Sequence, residues 1–171
     1  MTRIRVMTSA AVCAALITSS LFAVPAFATP GSGFAPSPIV TGTFGTLHVN
    51  TSNDKTDKWG LILKTLDSTD IAADRLTVQP GGFSGWHAHP APVFVTVTQG
   101  SIVWYNGSDP LCPGQTYNAG QSFIEDAYVT HNVKNASTSN GAEFVAIVIK
   151  PSGFVGLAFR INRDKPNNCN F

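Results

Sequence analysis

Residues Gly81 to Gly100 read GGFSGWHAHPAPVFVTVTQG. His87 and His89 stand one residue apart at the entrance to the β-rich run Val93 to Thr98. In extended chain alternate side chains share a face, so the two imidazoles point the same way. A lone His-x-His can be polar surface. A third histidine, His131, falls in a second β-like run, and a barrel brings such runs together around a common interior.

Outward from this stretch the chain reads as short strands between turn signals. Thr29 to Pro38 is rich in Pro, Gly and Ser and reads as an extended lead-in. Ile39 to Asn50 alternates as one strand or two, broken at Gly42 or Gly45, and Thr51 to Lys58 is a polar loop. Trp59 to Leu66 and Ile71 to Gln79 read as strands, the latter stopped by Pro80-Gly81-Gly82. Val93 to Thr98 and Ser101 to Tyr105 are expected to pair across Gly100, and Asn106 to Gly114 is loop. Gln121 to Glu125, Val129 to Lys134 and Glu143 to Lys150 complete the set, the last being the most apolar. Only Asp70 to Arg75 admits a turn of helix. This spacing predicts an all-β sandwich or barrel in one domain.

The first residues read differently. Met1 to Ala28 has Arg3 and Arg5, an apolar stretch through Val24, and Ala26-Phe27-Ala28, a small-x-small cleavage pattern. That is the pattern of a secretory signal peptide, leaving a mature chain from Thr29 to Phe171 with no membrane attachment. Cys13 would leave with it, and Cys112 and Cys169 remain. An even pair in an exported chain is expected to form a disulfide, tying a Pro/Gly-rich loop to the C-terminus. The mature chain carries nine Lys and Arg against ten Asp and Glu. That balance has no basic footprint for nucleic acid or an anionic membrane, and the partners expected are small molecules or other copies of the chain.

Two motifs in this sequence resemble those of the cupin superfamily. The first family motif is Gly, five residues, His-x-His, three or four residues, Glu, six residues, Gly; here Gly81, His87, His89 and Gly100 match it. The second is Gly, five residues, Pro-x-Gly, two residues, His, three residues, Asn; here Gly120, His131 and Asn135 match, with Asp126-Ala127-Tyr128 in place of Pro-x-Gly. The resemblance implies a cupin-type β-barrel, a double-stranded β-helix or jelly roll, over 29–171. It is similar to the small exported single-domain cupins with a late cysteine, and similar proteins often pair as homodimers.

The resemblance further implies that His87, His89 and His131 converge on one divalent transition metal ion, for which imidazole suits Fe, Zn, Ni, Cu and, less well, Mn. The family's glutamate ligand falls on Val93, which cannot coordinate. Family members lacking that glutamate, among them thiol dioxygenases, use three histidines with ferrous iron, so a dioxygenase-like oxidoreductase acting on a small molecule is implied. A zinc-type hydrolase, lyase or isomerase and a non-catalytic binding protein are the alternatives. Glu125 is the nearest carboxylate to replace the missing one; facing inward it is a fourth ligand or general base, facing outward a turn residue. Tyr128 stands where the motif has glycine, and its phenol is expected to handle a proton on a metal-bound substrate. His48 lies outside both motifs and reads as an ordinary strand residue.

Overall fold

The computed structural model describes residues 30–51, 59–154 and 159–170. The leader expected over Met1 to Ala28 lies outside them, as does most of the polar loop after Thr51. Among the described residues the strands are β1 (Ser32–Phe44), β2 (His48–Asn50), β3 (Ile62–Lys64), β4 (Thr69–Phe83), β5 (His87–Ala88), β6 (Val93–Gln99), β7 (Ser101–Asn106), β8 (Gly114–Asn118), β9 (Ser122–Glu125), β10 (His131–Asn135), β11 (Ala142–Pro151) and β12 (Ile161–Asn162). No α-helix occurs among them.

β4 organises the architecture. It pairs along its length with β1 on one side and β11 on the other, and β11 continues to β6 and β9. At its far end Phe83 pairs with Lys134 of β10, which carries β7 and β8 on one edge and β5 and β12 on the other. The result is an all-β, nearly closed barrel of jelly-roll type. The inner faces alternate as a half-buried sheet requires: Val93, Val95 and Val97 on β6, Phe144, Ala146 and Val148 on β11, and Leu76 and Val78 on β4. With Ile102 and Val133 from the other half they form one apolar cluster.

Four expectations are corrected. The lead-in before Ile39 is strand: β1 starts at Ser32, and Pro36 and Pro38 are accommodated because β1 pairs only with β4 and needs few outward N–H donors. Pro80-Gly81-Gly82 does not stop β4, and Asp70 to Arg75, which admitted a turn of helix, is strand within β4. Gly81, at φ +68°, bends the strand while its N–H donates to Ser137 O at 2.8 Å. Finally, β6 and β7 do not pair: β6 lies between β11 and β9, whereas β7 lies between β10 and β8. Within the one sheet the chain changes pairing partners at Gly100, whose φ is +68° and where a Cβ would stand 2.8 Å from Gly141 O.

Candidate metal centre

β5 and β10 are antiparallel neighbours, and their register sets His87 directly opposite His131. The two rings lie 4.3 Å apart between centroids. His89 follows β5 and is held from the turn before β10, where Tyr128 N–H donates to His89 O at 2.7 Å. The three imidazoles are buried, and one nitrogen of each lies within 4.8 Å of one nitrogen of the others. The three motif histidines are thus brought together.

Backbone carbonyls settle which nitrogens face inward. His87 Nδ1 is 2.8 Å from Gly85 O and His131 Nδ1 is 2.9 Å from Val129 O. A carbonyl only accepts, so the Nδ1 atoms carry the protons and the Nε2 lone pairs remain for a Lewis acid. Each carbonyl lies two residues before its own histidine, so the local backbone orients the ring it carries.

Glu125 completes the cluster. β9 pairs with β6 so that Glu125 stands opposite Val93, the position where the family's glutamate would be. Its carboxylate is buried, with Oε1 at 3.2 Å from His131 Nε2 and Oε2 at 3.3 Å from His89 Nε2. The open choice between inward and turn glutamate is resolved inward. Burial on its own would raise the Glu125 carboxyl, but the charge and proximity of His131 and then His89 hold it well below the usual carboxylate range. Burial would depress His131, and Glu125 more than offsets this and raises it. His87 is driven well below the usual imidazole value by burial and by repulsion from His131 and Arg160.

These residues fit a metal ion. His131 Nε2 is fully enclosed, and Glu125 Oε1 stands 3.2 Å from it. A buried lone pair facing a carboxylate oxygen is repulsive unless a cation sits between them, either a proton or a metal. Three imidazole nitrogens and a carboxylate form a donor set suited to a divalent transition ion.

The cavity beside the cluster measures about 310 Å³. Its walls include Phe34, Pro36, Leu76, Val133, Phe144 and Ala146, with His87, His89, Val93 and Glu125 among the lining residues. Tyr128 is not among them: its side chain is 63% exposed and borders a separate depression with Leu66 and Pro90. Its backbone, at φ +61°, presents the N–H to His89. Tyr128 therefore does not occupy the proton-handling position expected for it. His48 is exposed on β2, opposite Lys64.

Two lining residues have no signal in the motifs. Arg160 and Asn162 come from the C-terminal arm, where β12 pairs with β5 and puts Asn162 opposite His87. Arg160 Nη2 donates to Ser84 O at 3.0 Å and its Nε to Asn162 Oδ1 at 2.8 Å. Burial draws its pKa down to about 10, opposed by Glu125, so it stays protonated at neutral pH. Asn135, the last residue of the second motif, is structural: its Nδ2 donates to Val78 O and Asn140 O, and its Oδ1 accepts from Ser137 N–H.

Residues 74–148 match the family model described as a cupin domain. The chain belongs to the cupin superfamily. No curated protein matches it in sequence. Among solved structures, this cupin is similar to a cupin-2 domain protein of Rhodospirillum rubrum (13% identity, TM-score 0.46, covering 69% of this chain and 60% of that one). It is also similar to a cupin domain from Bordetella pertussis (21%, TM-score 0.40, 62% and 94%). An oxalate decarboxylase of Lactobacillus farciminis in its formate complex shares 22% identity at TM-score 0.44, over 54% of this chain and 26% of that one.

Proposed function

We propose that this cupin is an exported, metal-dependent oxidoreductase of the dioxygenase-like kind, acting on a small molecule bound in the barrel. His87, His89 and His131 would hold one divalent transition metal, with Glu125 beside them as fourth ligand or general base. The observation that carries the reading is Glu125: a buried carboxylate, at 3.2 and 3.3 Å from two histidine nitrogens, occupies the site from the strand next to the one that bears it in the family motif.

A bound ion would supply Lewis acidity toward a substrate oxygen and, if it is iron or another redox-active metal, a route for electrons. The chain's own residues do the rest. Gly85 O and Val129 O fix the ring orientations of His87 and His131, so the donor nitrogens need little reorganisation. Glu125 is the one carboxylate lining the cavity among the described residues and is placed to take or return a proton at its Oε atoms. Phe34, Leu76, Val133 and Phe144 exclude water from the cavity walls and strengthen every charge interaction inside it. Export through a cleaved leader, a monomer or homodimer in solution, and no engagement of nucleic acid or membrane belong to the same proposal.

Elemental analysis of the purified mature chain beside His87→Ala and His131→Ala tests it. About one equivalent of metal in the parent, lost in both variants, is expected. Iron then directs oxygen-uptake assays, and zinc directs hydrolase and lyase screens. A parent chain that takes up no metal after reconstitution would overturn the reading.

A further inference from the structure

We infer that the ligand of this cavity is a small monocarboxylate with an apolar body, its carboxylate received by Arg160 and its body by the phenylalanine-lined wall. The inference rests on the metal-site reading above and names the substrate class of that site.

Arg160 is a cation in a place that has little to balance it. Its two hydrogen bonds go to neutral acceptors, Ser84 O and Asn162 Oδ1. No carboxylate lies within salt-bridge distance of it among the described residues, and Glu125, the acid nearest the cluster, is engaged by His89 and His131. A guanidinium has five N–H donors in a planar fork, so three remain, including both on Nη1. The fork matches a carboxylate in two parallel hydrogen bonds. β12 fixes Arg160 in the sequence position next to Ile161, which pairs with Ala88 beside His87, so this cation and the metal ligands serve one cavity.

Charge and shape then narrow the ligand. With a divalent ion bound by neutral imidazoles, the ion and Arg160 outweigh the single negative charge of Glu125, and the site favours an anion. A neutral ligand would leave the remaining donors of this half-buried guanidinium without a charged partner. A sugar or a polyanion would meet Phe34, Pro36, Leu76 and Phe144, which offer nothing to its further polar groups. The cavity, about 310 Å³, lies at the small end of the roughly 300–1,000 Å³ range of small-molecule sites and suits a small ligand.

Calorimetric titration of the metal-loaded full mature chain with phenylacetate and with its neutral isostere phenylacetamide tests the inference, in the parent and in Arg160→Gln and Arg160→Lys, with metal content measured in each. The parent is expected to prefer the acid by about tenfold or more, as a charge-assisted hydrogen-bonded pair gives. Arg160→Gln should lose that preference at unchanged metal content, and Arg160→Lys should recover part of it. Equal affinity for acid and amide, binding of neither, or an acid preference that survives in Arg160→Gln would overturn it. Repeating the comparison on the metal-free chain separates the two ideas: a chain that holds no metal yet prefers the acid through Arg160 sinks the metal reading and leaves this one standing.

Discussion

Val93 and Glu125 face one another across β6 and β9, and that single cross-strand pair shows how a ligand can move between strands without leaving its site. Directly opposed side chains in a sheet are close neighbours, so the carboxylate can come from either strand. Two predictions belong here. Glu125→Gln should lower metal affinity about 10- to 100-fold, read by competition with a chelator, while the double variant Val93→Glu/Glu125→Val should hold metal at near the parent level. Asp74 gives a third. It is buried on the inner face of β4, and burial raises its carboxyl, partly offset by Lys150. The native state therefore keeps a proton that the unfolded chain has released, and stability falls as pH rises from the ordinary carboxylate range, about 4, through the raised value. Asp74→Asn should remove that fall and be the more stable protein at neutral pH, seen as a flat rather than declining urea midpoint across the interval.

At the scale of elements, the strands were legible where one face only is buried. Val93-x-Val95-x-Val97 is a run whose period of two announces both its state and its inner face. β9 was not legible in the same way. In Ser122-Phe123-Ile124-Glu125 both parities contain an apolar residue, and Ile124 is 51% exposed while Glu125 is buried. The decision comes from the neighbours: Phe123 packs on the core, and Glu125 shares its face. Gly100 carries the signal of a hairpin corner, yet a hairpin and a turn into a strand that pairs elsewhere both use a glycine at positive φ, so the local signal is the same for two topologies. Gly100→Ala should destabilise by about 1–2 kcal/mol from the left-handed backbone, with a further loss from the contact at Gly141 O. Both are measurable by denaturant titration.

The whole molecule is closed by its C-terminal arm. Cys112 and Cys169 are bonded across 57 residues, and the bridge packs on Trp86, the residue before His87. Arg163 N–H donates to Trp86 O at 3.0 Å, so the same arm is also stitched to the strand that carries the first ligand. Removing the bridge by Cys112→Ala/Cys169→Ala should cost about 4 kcal/mol in the chain-entropy account, observed as a lower thermal midpoint. The loss should extend to the ligand cavity, because the freed arm is the one that presents Arg160 and Asn162. Phenylacetate affinity should therefore fall in the double cysteine variant while metal content holds, since His87, His89, His131 and Glu125 all lie outside the arm.

Sequence alone determined what depends on local spacing. His87 and His89 share a strand parity, His131 and Asn135 sit at the second motif's interval, and the even cysteine pair of the mature chain had one partner each to find. Those patterns carry the β class, the cupin motifs, the three histidines and the disulfide. Tertiary structure decided what depends on two segments meeting. Glu125 becomes part of the site because β9 aligns on β6, Tyr128 lies outside it, exposed beside a separate depression, and Arg160 enters it because a two-residue strand and a disulfide hold the tail against β5. A side chain's residue type is written in the chain, but the face it reaches is set by register and by chain crossings, and those are fixed only when the barrel closes.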